Sequence, residues 1–353
     1  MDNVLINWSK KTKMGSYDRV IKAIRFQNPD RIPFMHVWFP AAFEKYGDKR
    51  MQELYRKYPS DIAQYEPQLF AFLCPGLGNS TRYQKGDFVD EWGCTFQFTG
   101  LGVAGMPKDY PLHRWENLSH FYTPDPFSEN TQDLRDFIDK NKGEKFILLM
   151  GGELFTRMWY LRGFTNLLLD LADGREEVSI LRDRIVDYLI ERLGWLLEYE
   201  IDGVWFPDDW GGQRQLIISP SMWRKMFKPS YKKIIEFVHS KDKFFFYHSC
   251  GNVLPIVPDF MEIGVDALHL QLSAYDMEEL GGVCKGKICI VSDIDRQYTL
   301  SKGTAKEVEQ YVRRTIDAFS TKAGGLITRG FFDPSFPIEN MEAMYRAFRE
   351  YGI

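Results

Sequence analysis

The segment Phe244–Asn252, FFFYHSCGN, is a run of aromatic residues that ends abruptly in polar side chains. Aromatic residues favour β-structure, so the run predicts a β-strand. It is one of eight short apolar runs that alternate along the chain with long amphipathic segments, a pattern typical of strands alternating with helices. The eight predicted strands are Ile32–Trp38, Asp61–Glu66, Phe146–Gly152, Gly203–Pro207, Phe244–His248, Ala267–Gln271, Ile288–Ser292 and Gly325–Arg329.

Several of the segments between the strands carry helical signals. Ser219 followed by Pro220 predicts an N-cap and the first turn of a helix that continues through Phe237. Thr304 and Glu307 have the spacing of a capping box. Steps of three and four place one apolar stripe along another long helix, and the stripe consists of Val178, Leu181, Ile185, Leu189, Leu193 and Leu196.

Eight strands with helical crossovers predict a (β/α)8 TIM barrel, an α/β fold, as a single domain over residues 1–353. A helix over Ser16–Phe26 is expected in an N-terminal extension of residues 1–30, and a last helix over about Ile338–Tyr351. Residues 68–128 are too many for a simple crossover and predict an insertion after the second strand. Alternating apolar residues predict a β-hairpin within it, and these are Phe88, Val89, Trp92, Cys94, Phe96 and Phe98.

The composition is that of a soluble globular protein, with 44% hydrophobic and 27% charged residues. The 45 basic and 49 acidic residues give a net charge of −4, which removes the electrostatic reason to expect nucleic acid as a partner. No apolar run approaches the roughly 20 residues needed to span a bilayer, and the N-terminus lacks the apolar core of a signal peptide. We therefore expect a cytoplasmic protein without a membrane partner.

The cysteines and aromatic residues narrow the chemistry further. The five cysteines are an odd number without a secretion signal, so they are expected to be thiols rather than a disulfide framework. Aromatic residues make up 15% of the chain, which suits either a pocket for a flat ligand or plain core packing.

Polar residues are expected to converge at one mouth of the barrel, because the active site of a TIM barrel lies at the C-terminal ends of its strands. We expect Glu153, Asp208 and Asp209 to be catalytic, since neighbouring carboxylates push each other's pKa values apart. Adjacent strand residues point oppositely, so only one of the two aspartates should face the mouth. An ion pair between Glu153 and Arg157 is the structural alternative. The residues at the predicted strand ends are His36, Tyr65, Glu66, Glu153, Asp208, Asp209, His248, Cys250, Gln271, Asp293, Asp295 and Arg329.

His248 and Cys250 are candidate metal ligands. Alternate residues share a face, so an imidazole nitrogen and a sulfur lie on the same side of the chain. Zinc binds such ligands, and a catalytic zinc site needs a third protein ligand and one open position. A buried histidine satisfied by carbonyls beside an inert thiol would give the same pattern.

Seven segments together resemble the uroporphyrinogen decarboxylase superfamily over nearly the whole chain, and within it the corrinoid-dependent methyltransferases. The resemblance implies a TIM barrel that passes a methyl group between a small methylated substrate and a corrinoid carried by a separate protein. The segments are DRIPFMHVW, VDEWG, LFTRMWYLRGFTNLLLDLA, FPDDWGGQ with ISPSMWRKMFKPSYK, YHSCGNVLPIVPDFMEIGVDAL, SDIDRQYTLSKGT and PIENMEAMYRAFREYG.

One departure concerns the substrate. Porphyrinogen decarboxylases carry a pair of arginines just after the first strand, where this chain has MHVWFPAAFEKYG and no arginine. A substrate with eight carboxylates would lack its counter-charge at this rim. The departure favours the methyltransferases over the decarboxylases.

A second departure concerns zinc. The thiol-activating methyltransferases of the superfamily add a later cysteine to the His-x-Cys pair, and that position falls at or beside Gly330. The related cobalamin-independent methionine synthases add a glutamate where this chain has Gln271. The remaining candidates for a third zinc ligand are Glu153, Asp208 and Asp293.

A zinc ion at this position could activate a bound thiol or act as a Lewis acid on an ether oxygen. Fewer sulfur ligands make the site harder, which favours the second mode and a methyl donor such as an aryl methyl ether. An aromatic rim of Trp38, Phe39, Trp159, Trp205 and Trp210 suits such a donor, and core or loop packing is the alternative. The expected substrate-binding residues are His36, Trp38, Trp159, Trp210, Gln271, Asp293 and Arg329.

Two other functions stay open. One is a cofactor-free decarboxylase, and the other is a non-catalytic barrel that binds a small molecule. The methyltransferase hypothesis needs a separate corrinoid protein as partner, because no corrinoid-binding module is visible in the sequence. A homodimer is a possible assembly.

Overall fold

The computed structural model of the chain describes residues 14–38, 40–65, 85–99, 105–127 and 131–352. Eight of its strands form one sheet in the order β1-β11-β10-β9-β8-β7-β6-β2, and every neighbouring pair is parallel. The described strands are β1 (Phe34–Trp38), β2 (Ile62–Gln64), β3 (Lys85–Val89), β4 (Thr95–Thr99), β5 (Met106–Asp109), β6 (Phe146–Met150), β7 (Gly203–Pro207), β8 (Phe244–Ser249), β9 (Ala267–Leu270), β10 (Cys289–Val291) and β11 (Leu326–Phe332).

Asp61 closes this sheet into a barrel by joining its two ends. The backbone N–H of Asp61, just before β2, donates to the carbonyl oxygen of Phe34 in β1 over 2.7 Å. The backbone N–H of Phe34 donates in return to the Asp61 carboxylate over 2.7 Å. The predicted (β/α)8 barrel is therefore confirmed.

Helices surround the barrel. The described α-helices are α1 (Ser16–Ile24), α2 (Pro40–Tyr46), α3 (Asp48–Lys57), α4 (Thr131–Asn141), α5 (Phe155–Arg162), α6 (Phe164–Asp173), α7 (Glu176–Leu196), α8 (Pro220–Met226), α9 (Lys228–His239), α10 (Val257–Glu262), α11 (Met277–Cys284), α12 (Ala305–Phe319) and α13 (Ile338–Tyr351). Short 3-10 helices cover Trp115–His120, Leu254–Ile256 and Leu272–Ala274. Among the helices described, none combines the length and apolar character needed to cross a membrane.

The predicted helix signals are confirmed in two cases and need correction in a third. The stripe predicted for the long helix is buried along α7, and Thr304 with Glu307 forms the predicted capping box of α12. Ser219 caps α8 as predicted, accepting from the N–H of Met222. The helix expected to run on through Phe237 is instead divided into α8 and α9. Pro229 lies in the first turn of α9, and a proline cannot donate to the helical ladder, which favours a new helix start there.

The barrel has an inner and an outer packing layer, because successive strand residues point to opposite faces. Val20, Ala23 and Ile24 of α1 pack on the inner layer, and Gly325 at the start of β11 donates to the carbonyl of Ala23. Helix α1 thus closes the N-terminal end of the barrel. The C-terminal ends of the strands are the end at which a functional site is expected. The inner strand residues are Met35, Ile62, Phe146, Leu148, Met150, Trp205, Phe246, Ala267, Cys289, Val291 and Ile327.

A small antiparallel sheet lies in the segment predicted to be inserted. Strands β3, β4 and β5 pair in that order, and Trp92, Cys94, Phe96 and Phe98 are buried in and beside it. The sheet is tied to the barrel because the Arg157 guanidinium of α5 lies 4.9 Å from the ring of Trp92. Of the predicted features, Phe39, Glu66, Cys74 and parts of the insertion lie outside the described residues.

Buried charges hold the closing seam of the barrel. The Asp61 side chain is 1% exposed and pairs with Arg19 over 2.6 Å and with Arg31 over 2.8 Å. A second carboxylate, Asp30, pairs with Arg19 over 2.5 Å. The four side chains together balance two positive and two negative charges, which reduces the cost of burying them.

We expect Asp61→Asn to lower the free energy of unfolding by about 3–5 kcal/mol, because it removes the carboxylate that pairs with Arg31 and places an amide N–H against donors. Urea denaturation measures this loss. Asp87→Asn is the control, since Asp87 is 42% exposed in its pair with Lys108 and should cost less than about 1 kcal/mol. Equal losses in the two variants would contradict a special role for Asp61 at the seam.

Candidate metal centre

Asp209, His248 and Cys250 bring three metal-ligating atoms together at the carboxyl ends of β7 and β8, all within 4.8 Å of one another. His248 Nε2 lies 3.3 Å from Cys250 Sγ and 3.5 Å from Asp209 Oδ1. Ligands of one tetrahedral zinc ion stand about 3.4–3.6 Å apart, given the usual zinc–ligand bond lengths. The donor set and the two distances from His248 Nε2 therefore suit zinc, and three protein ligands would leave one position open.

The backbone fixes this arrangement. Pro207 of β7 is in register with His248 of β8, and the N–H of Cys250 donates to Asp209 Oδ1 over 2.8 Å. Asp209 follows Trp205 at an even spacing, so it continues the inward-facing positions of β7. Within the described residues, Asp209 completes the cluster in place of the three carboxylates expected from the sequence.

The pKa shifts of His248 and Cys250 are those expected of metal ligands before a metal binds. Burial lowers the pKa of His248 to about 4, against the opposing effect of Asp209. Its imidazole is therefore neutral at neutral pH and has a lone pair to offer. Burial, with the nearby Asp209 carboxylate, raises the pKa of the Cys250 thiol. A bound metal would offset both effects and favour the thiolate.

A second histidine, His269, lies directly behind the first. It is in register with His248 on the neighbouring strand, and the Nδ1 atoms of the two rings are 2.6 Å apart. Arg329 of β11 places Nη1 3.2 Å from His269 Nε2, and its guanidinium lies over Trp205 at 5.1 Å. Sequence reasoning missed His269 because the predicted strand ends at Gln271, and no sequence motif marks the register that brings His269 beside His248.

Two further predicted residues, Asp293 and Gln271, lie near His269 and Arg329. We call the surface formed by Gln271, Asp293 and Arg329 the inner wall. Asp293 is buried two residues beyond Val291, which pairs with Ile327, and burial raises the pKa of its carboxyl. The register places Asp293 beside Arg329. Gln271 accepts a hydrogen bond from the N–H of Gly251 over 3.1 Å, which steadies the loop that follows Cys250.

Asp208 faces the other way and caps helix α5. Its carboxylate accepts from the backbone N–H groups of Leu154, Phe155 and Thr156 at 2.6–2.8 Å and from the hydroxyl of Tyr231 over 2.6 Å. An anion at a helix N-terminus is stabilised by these N–H groups, which have no partner within the helix. Burial raises the pKa of Asp208, and these hydrogen bonds oppose the shift.

Glu153 lies at the start of the same turn and forms an ion pair. Its carboxylate accepts from Arg157 over 2.8 Å, and Arg157 also binds Asp90 beside the inserted sheet over 2.6 Å. Burial raises the pKa of Glu153, Asp208 adds to the rise, and Arg157 opposes it. The ion pair considered as the structural alternative is therefore present.

Two of the expected substrate-binding residues, Trp210 and Trp159, lie in the outer layer. Trp210 is fully buried and donates from Nε1 to the hydroxyls of Tyr231 and Tyr247, each over 3.0 Å. Trp159 packs edge-on against its neighbour Tyr160. For Trp38, the backbone ends β1 and its side chain lies outside the described residues.

His36, another expected substrate-binding residue, also lies in the outer layer, between the barrel and helix α13. It lies 2.7 Å from the hydroxyl of Tyr345 and 2.5 Å from the carbonyl of Tyr58, and burial lowers its pKa to about 4. His36 pairs in register with Gly330, so both positions face outward. A side chain at Gly330 would overlap the ring and hydroxyl of Tyr345. The expected third sulfur position therefore points away from His248, and Arg329 is the inward residue there.

Eight parallel strands, flanking helices and a histidine–cysteine–aspartate cluster at the carboxyl ends define a (β/α)8 barrel with a candidate metal centre. The chain belongs to the uroporphyrinogen decarboxylase family, whose model, described as Uroporphyrinogen decarboxylase (URO-D), matches residues 93–351.

One solved structure shares the fold over nearly its whole length. A methyltransferase from Methanosarcina mazei superposes with a TM-score of 0.69 at 14% identity, covering 96% of this chain and 99% of that chain. Native xylanase 10B from Thermotoga maritima gives a TM-score of 0.45 at 9% identity, covering 94% and 97%. No curated protein matches the chain.

We expect Gly330→Ala to lower the free energy of unfolding by about 1–3 kcal/mol, because the added methyl group displaces Tyr345 from His36. Chemical denaturation measures the change. Gly282→Ala in α11 is the matched control, since a Cβ there meets nothing within 4 Å, and it should raise the free energy of unfolding by about 0.5–1 kcal/mol. A Gly330→Ala protein as stable as the wild type would show that this position does not face Tyr345.

Proposed function

We propose that the chain is a zinc-assisted methyltransferase that moves a methyl group between a small methylated substrate, such as an aryl methyl ether, and a corrinoid held by a separate protein. The observation that carries the proposal is the cluster of Asp209, His248 and Cys250. Membership of the family and the fold shared with a protein described as a methyltransferase support it. The missing arginine pair after β1 argues against a porphyrinogen as substrate.

Asp209, His248 and Cys250 would hold the ion through one oxygen, one nitrogen and one sulfur. A bound zinc ion supplies a Lewis acid that polarises the oxygen of the methyl donor. Cys250 and Asp209 contribute two negative charges when the thiol is ionised, so they match a divalent cation. Asp209 also accepts from the N–H of Cys250, which orients the carboxylate before any ligand binds.

Methyl transfer also requires a proton for the oxygen that loses the methyl group. As the bond from this oxygen to the methyl carbon breaks, its electron pair stays on the oxygen and the methyl group passes to the reduced cobalt of the partner. Glu153, whose carboxylate is held by Arg157 and whose pKa is raised by burial, is proposed to pass a proton from solvent to the leaving oxygen. Asp208 acts as a positioning residue, because it caps the helix that carries Arg157, the partner of Glu153.

The inner wall is proposed to bind the donor. Gln271, Asp293 and Arg329 line it beside the metal cluster, and Trp205 supplies an aromatic face next to His248, with ring centroids 6.1 Å apart and planes at 15°. Trp205 is only 4% exposed, so it is proposed to position His248 and Arg329 rather than to contact the donor. For His36, Trp159 and Trp210, we propose support through packing rather than direct contact with the donor.

We expect the purified wild-type protein to hold about one zinc ion per chain, and Asp209→Ala, His248→Ala and Cys250→Ala to lose it, since each removes one of three ligands. Elemental analysis of proteins prepared identically with added zinc measures this. Cys284→Ala is the control, because Cys284 is buried in α11 away from the cluster. Wild-type protein without metal under these conditions would remove the Lewis-acid role.

We expect methyl transfer from aryl methyl ethers only when reduced corrinoid is supplied. Spectroscopic conversion of Co(I) to methyl-Co(III) measures the reaction, and His248→Ala should slow it by at least about 100-fold, because the polarising ion is lost. Release of carbon dioxide from a polycarboxylate without corrinoid would favour the decarboxylase instead. Ligand binding with no turnover in either assay would favour the non-catalytic barrel.

A further inference from the structure

The hydrogen bonds behind the metal cluster have a defined direction. A guanidinium has only donors, so Arg329 Nη1 donates to His269 Nε2 over 3.2 Å. His269 then carries its proton on Nδ1 and donates it to His248 Nδ1 over 2.6 Å. Neutral His248 is left with its proton on Nε2, which faces Cys250 and Asp209.

With a metal ion bound to His248, this direction would have to reverse. It needs the lone pair of His248 Nε2, so the His248 proton must lie on Nδ1, where the carbonyl oxygen of His269 is an acceptor at 3.3 Å. Two protons cannot occupy the 2.6 Å contact between the two Nδ1 atoms. His269 must therefore carry its proton on Nε2, and that N–H faces the donating Nη1 of Arg329.

We propose that His269 is a positioning residue that couples occupancy of the metal centre to the side chain of Arg329. When metal binds to His248, the proton on His269 Nδ1 passes to His248 Nδ1. The proton on His248 Nε2 leaves to solvent, and His269 Nε2 gains one from solvent, so each imidazole stays neutral. Arg329 then loses its acceptor and moves away from His269. This inference rests on the proposed metal centre.

The inner wall offers Arg329 another partner. Within the described residues, Asp293 Oδ1 and Arg329 Nε are both buried without a hydrogen bond. Arg296 is the nearest cation to that oxygen, with Nε 3.5 Å away. A released Arg329 can therefore pair with Asp293, or with an oxygen of the methyl donor, once metal is bound. The coupling would make the donor site respond to the metal.

The tautomer of His269 tests the proposal in the wild-type protein. The chain has six histidines, so 15N-histidine NMR spectra with His248→Ala and His269→Phe as assignment variants can identify both rings. We expect the Nδ1–H tautomer of His269 in metal-free protein and the Nε2–H tautomer after zinc is added. The same tautomer in both states, in protein that does bind zinc, would overturn the coupling and leave the metal centre standing. Protein that binds no zinc would overturn both.

Zinc affinity gives a second readout. Arg329→Met removes the donor that opposes the metal-bound tautomer, so we expect zinc to bind about tenfold tighter or more. Arg296→Met is the matched control, because it also removes a neighbouring positive charge but leaves the contact with His269 intact. In the His269→Phe background, Arg329→Met should have no larger effect than Arg296→Met. Equal effects of the two arginine variants in the wild-type background would overturn the proposal.

Discussion

The closure of the sheet by Asp61 is the constraint on which the rest of the structure depends. Strands β1 and β2 are the two ends of the sheet order, and the backbone and carboxylate of Asp61 join them. Closure gives every strand one face toward the inside of the barrel and one toward the outside. The alternation of side chains along each strand therefore divides them between an inner and an outer layer. Arg19 and Arg31 reduce the free-energy cost of burying the Asp61 carboxylate, because their positive charges pair with it.

The same alternation separates residues that look alike in the sequence. Asp208 and Asp209 are neighbours, yet one caps a helix in the outer layer and the other lies half-exposed beside His248. A carboxylate that accepts four hydrogen bonds has little freedom to exchange a proton or bind substrate. The expectation that only one of the pair faces the mouth follows from strand geometry alone, but which one does so depends on where the strand begins.

The sequence could predict the eight strands, the helix caps at Ser219 and Thr304 and the polar strand ends, because these depend on local periodicity and short motifs. It could not predict how neighbouring strands align. His269 became visible only through its register with His248, and the outward direction of Gly330 only through Tyr345. Asp209 joins the cluster through a contact between two loops. Such long-range relations are set by packing of the whole barrel rather than by any one segment.

The charge of the inner wall determines which neighbours the proposed metal centre would need. Arg329 and Arg296 place positive charge near two buried neutral imidazoles, and burial lowers the pKa of Arg329 to about 10. A divalent cation entering this site would meet repulsion unless nearby groups compensate it. Asp209 and, once its thiol is ionised, Cys250 would compensate it directly, and Asp293 would offer Arg329 a partner away from His269. Metal binding at the proposed centre and the position of Arg329 would therefore be linked by electrostatics as well as by hydrogen bonds, and a donor bound against Arg329 would meet a wall whose charge depends on the metal.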